Sequence, residues 1–227
     1  MNNHEFVTKL KDIANNYKTL YVMGCIGAPL KSSNKNYYCN NYKYNKRVDR
    51  TAKIKAAENG TFGFDCVCLI KSVLWGWNGD ITKSYGGAKY QSNGVPDITA
   101  DAMYNKCTNR STDFTKIQIG EAVWTNGHIG VYIGDGLAVE CTPSWKDCVQ
   151  ITAVGNIGAK TGYPTRKWKG HGKLPWLEYE VVVTKTIDEL AKEVILGKWG
   201  VGVDRKKRLG ELYQPVQQRV NEILRGQ

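Results

Sequence analysis

The 227-residue chain has no long apolar run. No stretch reaches the ~18 consecutive apolar residues of a membrane-spanning helix. The N-terminal MNNHEFVTKLKDIANNYKTL lacks the apolar core of a secretory leader. The expectation is a chain made in the cytoplasm and not inserted in a membrane. Histidine is scarce, with three residues, and no Cys-x-x-Cys pair occurs among the seven cysteines. A structural zinc site therefore lacks its usual ligand spacing, and no metal or cofactor is expected. An odd, irregularly spaced set of cysteines in a chain of this length also argues against a secreted disulfide scaffold. Most of these thiols should be small buried hydrophobes. Acidic residues are in deficit, 21 against 32 basic ones, for a net charge of +11. Such a surface suits a polyanionic partner, and charge alone does not choose between nucleic acid and an anionic polymer.

What is present is enough for one medium domain and a small one. Phe6, Leu10, Ile13 and Tyr17 fall at helical spacing, so residues 6–17 read as an opening helix. Residues 24–60 are rich in Asn, Lys and Tyr and read as loop, with a helical piece near 47–57. Val67, Ile70, Val73, Leu74 and Trp77 define a helix over 65–77, with Asp65 as its N-cap. A polar, Gly-rich loop over 84–98 and a short helix over 99–107 follow. Between 119 and 155, apolar segments alternate with turn signals at Asn126-Gly127 and Gly134-Asp135-Gly136, which predicts consecutive antiparallel strands. Helices preceding a run of strands give an α+β fold, not a doubly wound one. After 178 the pattern turns helical again, at 187 onward, near 204–210 and from Pro215 to Arg225. The expected boundaries are residues 1–178, a linker at 179–186, and a small three-helix unit at 187–227.

The chemistry concentrates at Cys66, in the first turn of the predicted helix. A helix N-terminus favours negative charge and is expected to lower the thiol pKa toward the nucleophilic thiolate. Of the three histidines, His4 is terminal and His171 lies in a segment rich in Gly and Lys. His128 opens a strand after a tight turn and suits a base presented at a sheet edge. A third group should orient its imidazole, and Glu140 is the candidate. If Gly134-Asp135-Gly136 forms a three-residue loop, Gly130 faces Glu140, and His128 is one diagonal step away on the same face. A two-residue loop would slip the register by one and turn Glu140 to the other face. Cys68 reads as a buried, inert thiol.

GFDCVCLI resembles the Asp-Cys-x-x-Leu-Ile signature of the NlpC-type cell-wall cysteine peptidases, and HIGVYIGDG resembles that family's His motif. The resemblance covers roughly residues 15–160 and implies a papain-like fold of N-terminal helices packed on an antiparallel sheet. It makes Cys66, His128 and Glu140 the catalytic triad. An acidic third member also resembles the related CHAP-type amidohydrolases. LYVMGC looks like the family's Tyr-x-x-Gly-Gly segment, which places Tyr21 near the oxyanion with Gly24 beside it and Asp65 at the substrate site. There are departures. Cys25 stands for the second glycine, Val67-Cys68 for the usual Ser-Gly, and the segment between Gly24 and Gly63 is long.

IDELAKEVILGKWGVGVDRKKRL followed by VQQRVNEIL resembles the CW-seven type cell-wall-binding repeat, a three-helix bundle. Gly197, Trp199, Gly200, Gly202, Asp204, Arg205, Arg208 and Leu209 carry the match. Trp199, Asp204, Arg205 and Arg208 are the implied wall contacts, since Arg binds carboxylates bidentately. The implied activity is hydrolysis of a peptidoglycan amide. The bond is either within the stem peptide or the one joining the sugar lactyl group to L-alanine. The layout resembles that of a phage endolysin, which implies a monomer that acts on peptidoglycan after release through a holin-type pore. Alternatives are a decayed, binding-only wall protein and a papain-like acyltransferase or protease acting on proteins. A nucleic-acid binder would need a binding motif, and none is present.

Overall fold

The computed structural model describes residues 1–179 and 185–226. The chain divides into two units, Met1–Glu180 and Val181–Gln227. Of the linker expected at 179–186, residues 180–184 lie outside the described residues.

In the first unit the helices are α1 (Asn3–Asn16), α2 (Ser32–Asn41), α3 (Val48–Ala56), α4 (Cys66–Leu74) and α5 (Ala100–Lys106). The strands are β1 (Thr19–Tyr21), β2 (Ile26–Pro29), β3 (Phe62–Phe64), β4 (Thr108–Ser111), β5 (Ala122–Thr125), β6 (His128–Gly134), β7 (Leu137–Thr142), β8 (Cys148–Val154), β9 (Thr165–Arg166) and β10 (Gly170–Lys173). A seven-stranded sheet runs β4-β10-β5-β6-β7-β8-β9, and a three-stranded one runs β1-β3-β2. Among the described strands, pairing is antiparallel except for β1 with β3 and β8 with β9. The architecture is α+β.

Helix α4 is the element on which the rest is built. Asp65 caps it, its side chain accepting from the Cys68 amide at 2.7 Å. Such a cap contributes about 1 kcal/mol. Every residue from Cys66 to Leu74 is buried, as expected of a helix enclosed on all sides. It packs against β6, β7 and α1. Burying side chains such as Leu69, Ile70 and Val73 contributes about 1.5–3 kcal/mol each. The helix ends at Leu74, earlier than its apolar spacing suggests, and Trp75 and Trp77 continue the core beyond it. Their indole N–H groups donate to the carbonyls of Val95 and Gly27, at 2.9 Å each.

Three expectations need correction. Residues 24–60 hold more than a loop and one helix: β2 and α2 are also there. His171 is not in a loop. It lies in β10, is 3% exposed, and pairs through Nδ1 with Glu121, while Nε2 meets the Asp113 carbonyl oxygen at 3.0 Å. Its flanking glycines are there for packing, since a Cβ at Gly172 would stand 2.9 Å from Cys107 Cβ. The third correction is the β6–β7 turn. It has two residues, Asp135 and Gly136, both at positive φ (53° and 73°), with Gly134 paired to Leu137. A bulge at Ile133 absorbs the slip, and Val131 still faces Val139. The bulk of the hairpin therefore keeps the register that places His128 and Glu140 on one face.

The second unit carries α6 (Ile187–Ile195), α7 (Gly202–Leu209) and α8 (Tyr213–Leu224) among its described residues. Leu190, Ala191, Val194, Leu209, Val216 and Val220 form its core. Thr186 and Glu189 close a capping box at the start of α6. All seven cysteines of the chain are free, and all but Cys148 are buried.

Candidate active site

Cys66 lies at the start of α4, 7% exposed, on the floor of a cleft of about 440 Å³. Tyr21, Gly24 and Asp65 line the same cleft, with Met23, Ile26 and Tyr42 on one side and Ile98, Thr99 and Gly127 among its other lining residues. Cys68 lines it too. The backbone of Ile129, the residue after His128, is within hydrogen-bonding reach of the Cys66 sulfur. The N-terminus of α4 and the start of β6 thus meet at the thiol.

The thiol pKa runs against the helix-terminus expectation. Burial, followed by the Asp65 carboxylate next door, pushes it up to about 12. A nine-residue helix supplies only a fraction of a charge at its end. Desolvation and a neighbouring full negative charge outweigh it. Both effects favour the thiol form of Cys66 over the thiolate.

His128 Nε2 stands 2.6 Å from Glu140 Oε2. Glu140 is fully buried and is met by two further groups: Thr152 Oγ1 donates at 2.7 Å, and Arg166 Nε lies 3.0 and 2.8 Å from its two oxygens. Burial alone would raise its carboxyl pKa. The hydrogen bond to His128 and the Arg166 guanidinium outweigh burial and hold it below the ordinary value. The His128 ring stacks on Trp168, centroids 5.5 Å apart and planes 10° from parallel. Gly130 permits this packing. A Cβ there would meet the Val139 carbonyl oxygen at 2.9 Å and Trp168 Cη2 at 3.1 Å.

Sequence reasoning did not single out Arg166 or Trp168. Arg166 follows Glu140 by 26 residues, on a two-residue strand. The one local signal is that Arg166 and Trp168 are two apart, which puts both on one side of an extended chain.

Tyr21 is buried against the thiol. Burial first, then the nearby Cys66 and Asp65, drive its hydroxyl pKa far upward, so it stays an O–H donor. The 21–24 segment is held from behind by the insertion. Arg50 donates to the Tyr21 carbonyl, and Asn45 bonds both the amide and the carbonyl of Met23, at 3.1 and 3.0 Å. From the other side, Asp65 Oδ2 accepts from the Gly24 amide at 2.7 Å.

In the second unit the Arg208 guanidinium lies 5.5 Å from the Trp199 ring centroid. Arg205 is turned inward. Its Nε and Nη1 donate to the Gly200 carbonyl and to Gln217, both at 3.0 Å. Asp204 is exposed in the first turn of α7.

Residues 188–224 match the CW_7 repeat. Among solved structures, the P60 domain of M. avium subspecies paratuberculosis antigen MAP1204 superposes with a TM-score of 0.41 and 17% identity, over 78% of this chain and 96% of that one. The peptidoglycan hydrolase RipB of Mycobacterium tuberculosis superposes with a TM-score of 0.41 and 18% identity, over 78% of this chain and 66% of that one. No curated protein matches the chain.

Proposed function

We propose that the chain is a peptidoglycan hydrolase that opens an amide bond through Cys66, His128 and Glu140. The observation that carries the reading is the 2.6 Å contact of His128 Nε2 with a fully buried, ionised Glu140, on a strand whose start abuts the Cys66 thiol. Support for the wall as substrate comes from the CW_7 match at 188–224 and from the likeness of the Cys and His segments to NlpC-type enzymes.

Glu140 accepts from Nε2–H, which leaves Nδ1 unprotonated as the base. His128 takes the Cys66 proton as the thiolate attacks the amide carbonyl. The oxyanion forms beside the Cys66 amide at the helix start and the Tyr21 hydroxyl, both donors held in place before substrate arrives. His128 then protonates the leaving amine, and water, deprotonated by the same imidazole, hydrolyses the thioester. The wall-binding unit raises the local concentration of the catalytic one on its polymer.

The test is digestion of purified peptidoglycan by the native chain beside Cys66→Ala, with mass spectrometry of the products. Intact glycan with free stem peptides identifies an N-acetylmuramoyl-L-alanine amidase, and shortened stems an endopeptidase. Equal product from the Cys66→Ala chain would refute the mechanism. No product from either chain, with retained wall binding, would favour a binding-only protein.

A further inference from the structure

The turn joining β7 to β8 has features the triad does not require. Strand β6 starts at His128 and β7 ends at Thr142. The strands run antiparallel with Val131 opposite Val139, so both points lie at the same end of the sheet. The turn of residues 143–147 therefore stands at the catalytic end. Trp145, within it, has φ 57° and is 51% exposed. A bulky aromatic residue in the left-handed region is a true outlier, held only where its surroundings over-determine it.

The surroundings do so here. The Gln150 side chain, 4% exposed, donates toward the carbonyls of Thr142, Ser144 and Cys148 (3.4, 3.0 and 3.3 Å) and accepts from the Lys146 amide at 3.4 Å. The Asp147 carboxylate is bound by Arg50 and Lys53, and its carbonyl accepts from the Tyr21 amide. The turn is fastened at both ends, and what it presents is an indole.

The Arg166 guanidinium lies 4.9 Å from the Trp145 ring centroid and 5.5 Å from that of Trp168. One surface of the indole is thus backed by a cation that also grips Glu140. The rest stands in water, edged by exposed Ser144 and Lys146. A flat apolar face with a polar, cationic rim fits a ring that has apolar faces and an edge of hydroxyl and amide groups.

We propose that Trp145 is the stacking platform of a saccharide subsite that takes an N-acetylated pyranose of the glycan strand beside the scissile amide. This rests on the reading of the chain as a peptidoglycan hydrolase and adds that the substrate is recognised through its sugar. Trp145→Gly removes the ring, and glycine adopts the left-handed backbone without strain, so the turn survives. Trp145→Phe keeps an aromatic face.

The experiment uses the full chain and two substrates that share one scissile bond, a disaccharide-stem peptide and the stem peptide without sugars. In Trp145→Gly the ratio of kcat/KM for the first to that for the second is expected to fall by roughly tenfold, and Trp145→Phe to keep most of it. An unchanged ratio would overturn the proposal, including a uniform loss on both substrates, since that would make Trp145 only a support for Arg166. Binding of an N-acetylglucosamine tetrasaccharide to the Cys66→Ala chain, with and without Trp145→Gly, is read separately by saturation-transfer NMR. Contact at the tetrasaccharide that weakens in the double variant supports the subsite, and equal binding counts against it. This second readout does not depend on hydrolysis, so failure to cut any wall would remove the proposed function and still leave the saccharide subsite decided.

Discussion

Gly130 on β6 lies directly against Glu140 on β7. A Cβ built on Gly130 stands 3.2 Å from Glu140 Cβ and 2.9 Å from the neighbouring Val139 carbonyl oxygen. The absent side chain is what lets His128 reach Glu140 diagonally, with Trp168 laid over the gap. Gly130→Ala should spread the two strands. A loss of about 1–3 kcal/mol in unfolding free energy is expected, as for overpacking of a tight site. The loss of wall hydrolysis should be larger than that destabilisation accounts for. A melting curve beside a turbidity assay checks both, and a fully active variant would show that the contact does not set the proposed triad.

Cys66 should behave as a protonated thiol at neutral pH. Its pKa lies well above the ordinary thiol value because of burial and the Asp65 carboxylate. Alkylation of Cys66 in the free protein, followed by mass spectrometry, is expected to be slow near neutrality and still accelerating above pH 9. Asp65→Asn removes the neighbouring charge and should move this curve to lower pH, even as it weakens the cap. A plateau near neutrality in the native chain would mean a preformed thiolate–imidazolium pair.

Glu140→Gln keeps the shape of the side chain and removes the charge that holds the imidazole. The amide can also donate, so the Nε2–H tautomer loses its fixed partner. A fall in kcat of roughly a hundred- to ten-thousandfold is expected, with KM little changed. Retention of wild-type kcat would remove Glu140 from the proposed triad.

Arg166→Gln tests the ion pair on Glu140. Removing one partner of a buried pair typically costs about 3 kcal/mol, read as a lower urea midpoint near neutral pH. The sign of the pH effect follows from Glu140. Its carboxyl pKa is depressed in the folded chain, so its stabilisation is present above the ordinary carboxylate range and is lost as pH falls through the native value. Without Arg166 the native value rises, and the acid-side loss should begin at higher pH. An identical acid limb in both proteins would count against this linkage.

The parts of the site visible in the sequence are those set by local pattern. Cys66 follows a cap residue at the head of an apolar-periodic helix, and His128 follows an Asn-Gly turn. Glu140 was reachable because a hairpin relates residues by arithmetic, yet the loop length behind that arithmetic differed, and only the bulge at Ile133 preserved the outcome. A bulge is a packing decision without a fixed local signature. Helix α2 was missed because SSNKNYYCNN carries four asparagines, which favour turns over helix interiors, and tertiary packing of Tyr38 and Cys39 overrides that preference. His171 was misplaced because Gly-His-Gly reads as loop, when the glycines answer to Cys107 and Tyr104 packed against them. Arg166 was missed because its partner is distant in sequence. The thiol pKa was misjudged because a helix terminus is visible in sequence and burial is not.

The Asp65 carboxylate takes the Cys68 amide with one oxygen and the Gly24 amide with the other. The helix that carries Cys66 and the segment that carries Tyr21 are therefore clasped by a single side chain. A fluctuation that widened the cleft there would have to release a helix cap at the same moment. The cleft should then melt with the core as one cooperative step, with no breathing, half-open state for a protease or an oversized substrate to exploit.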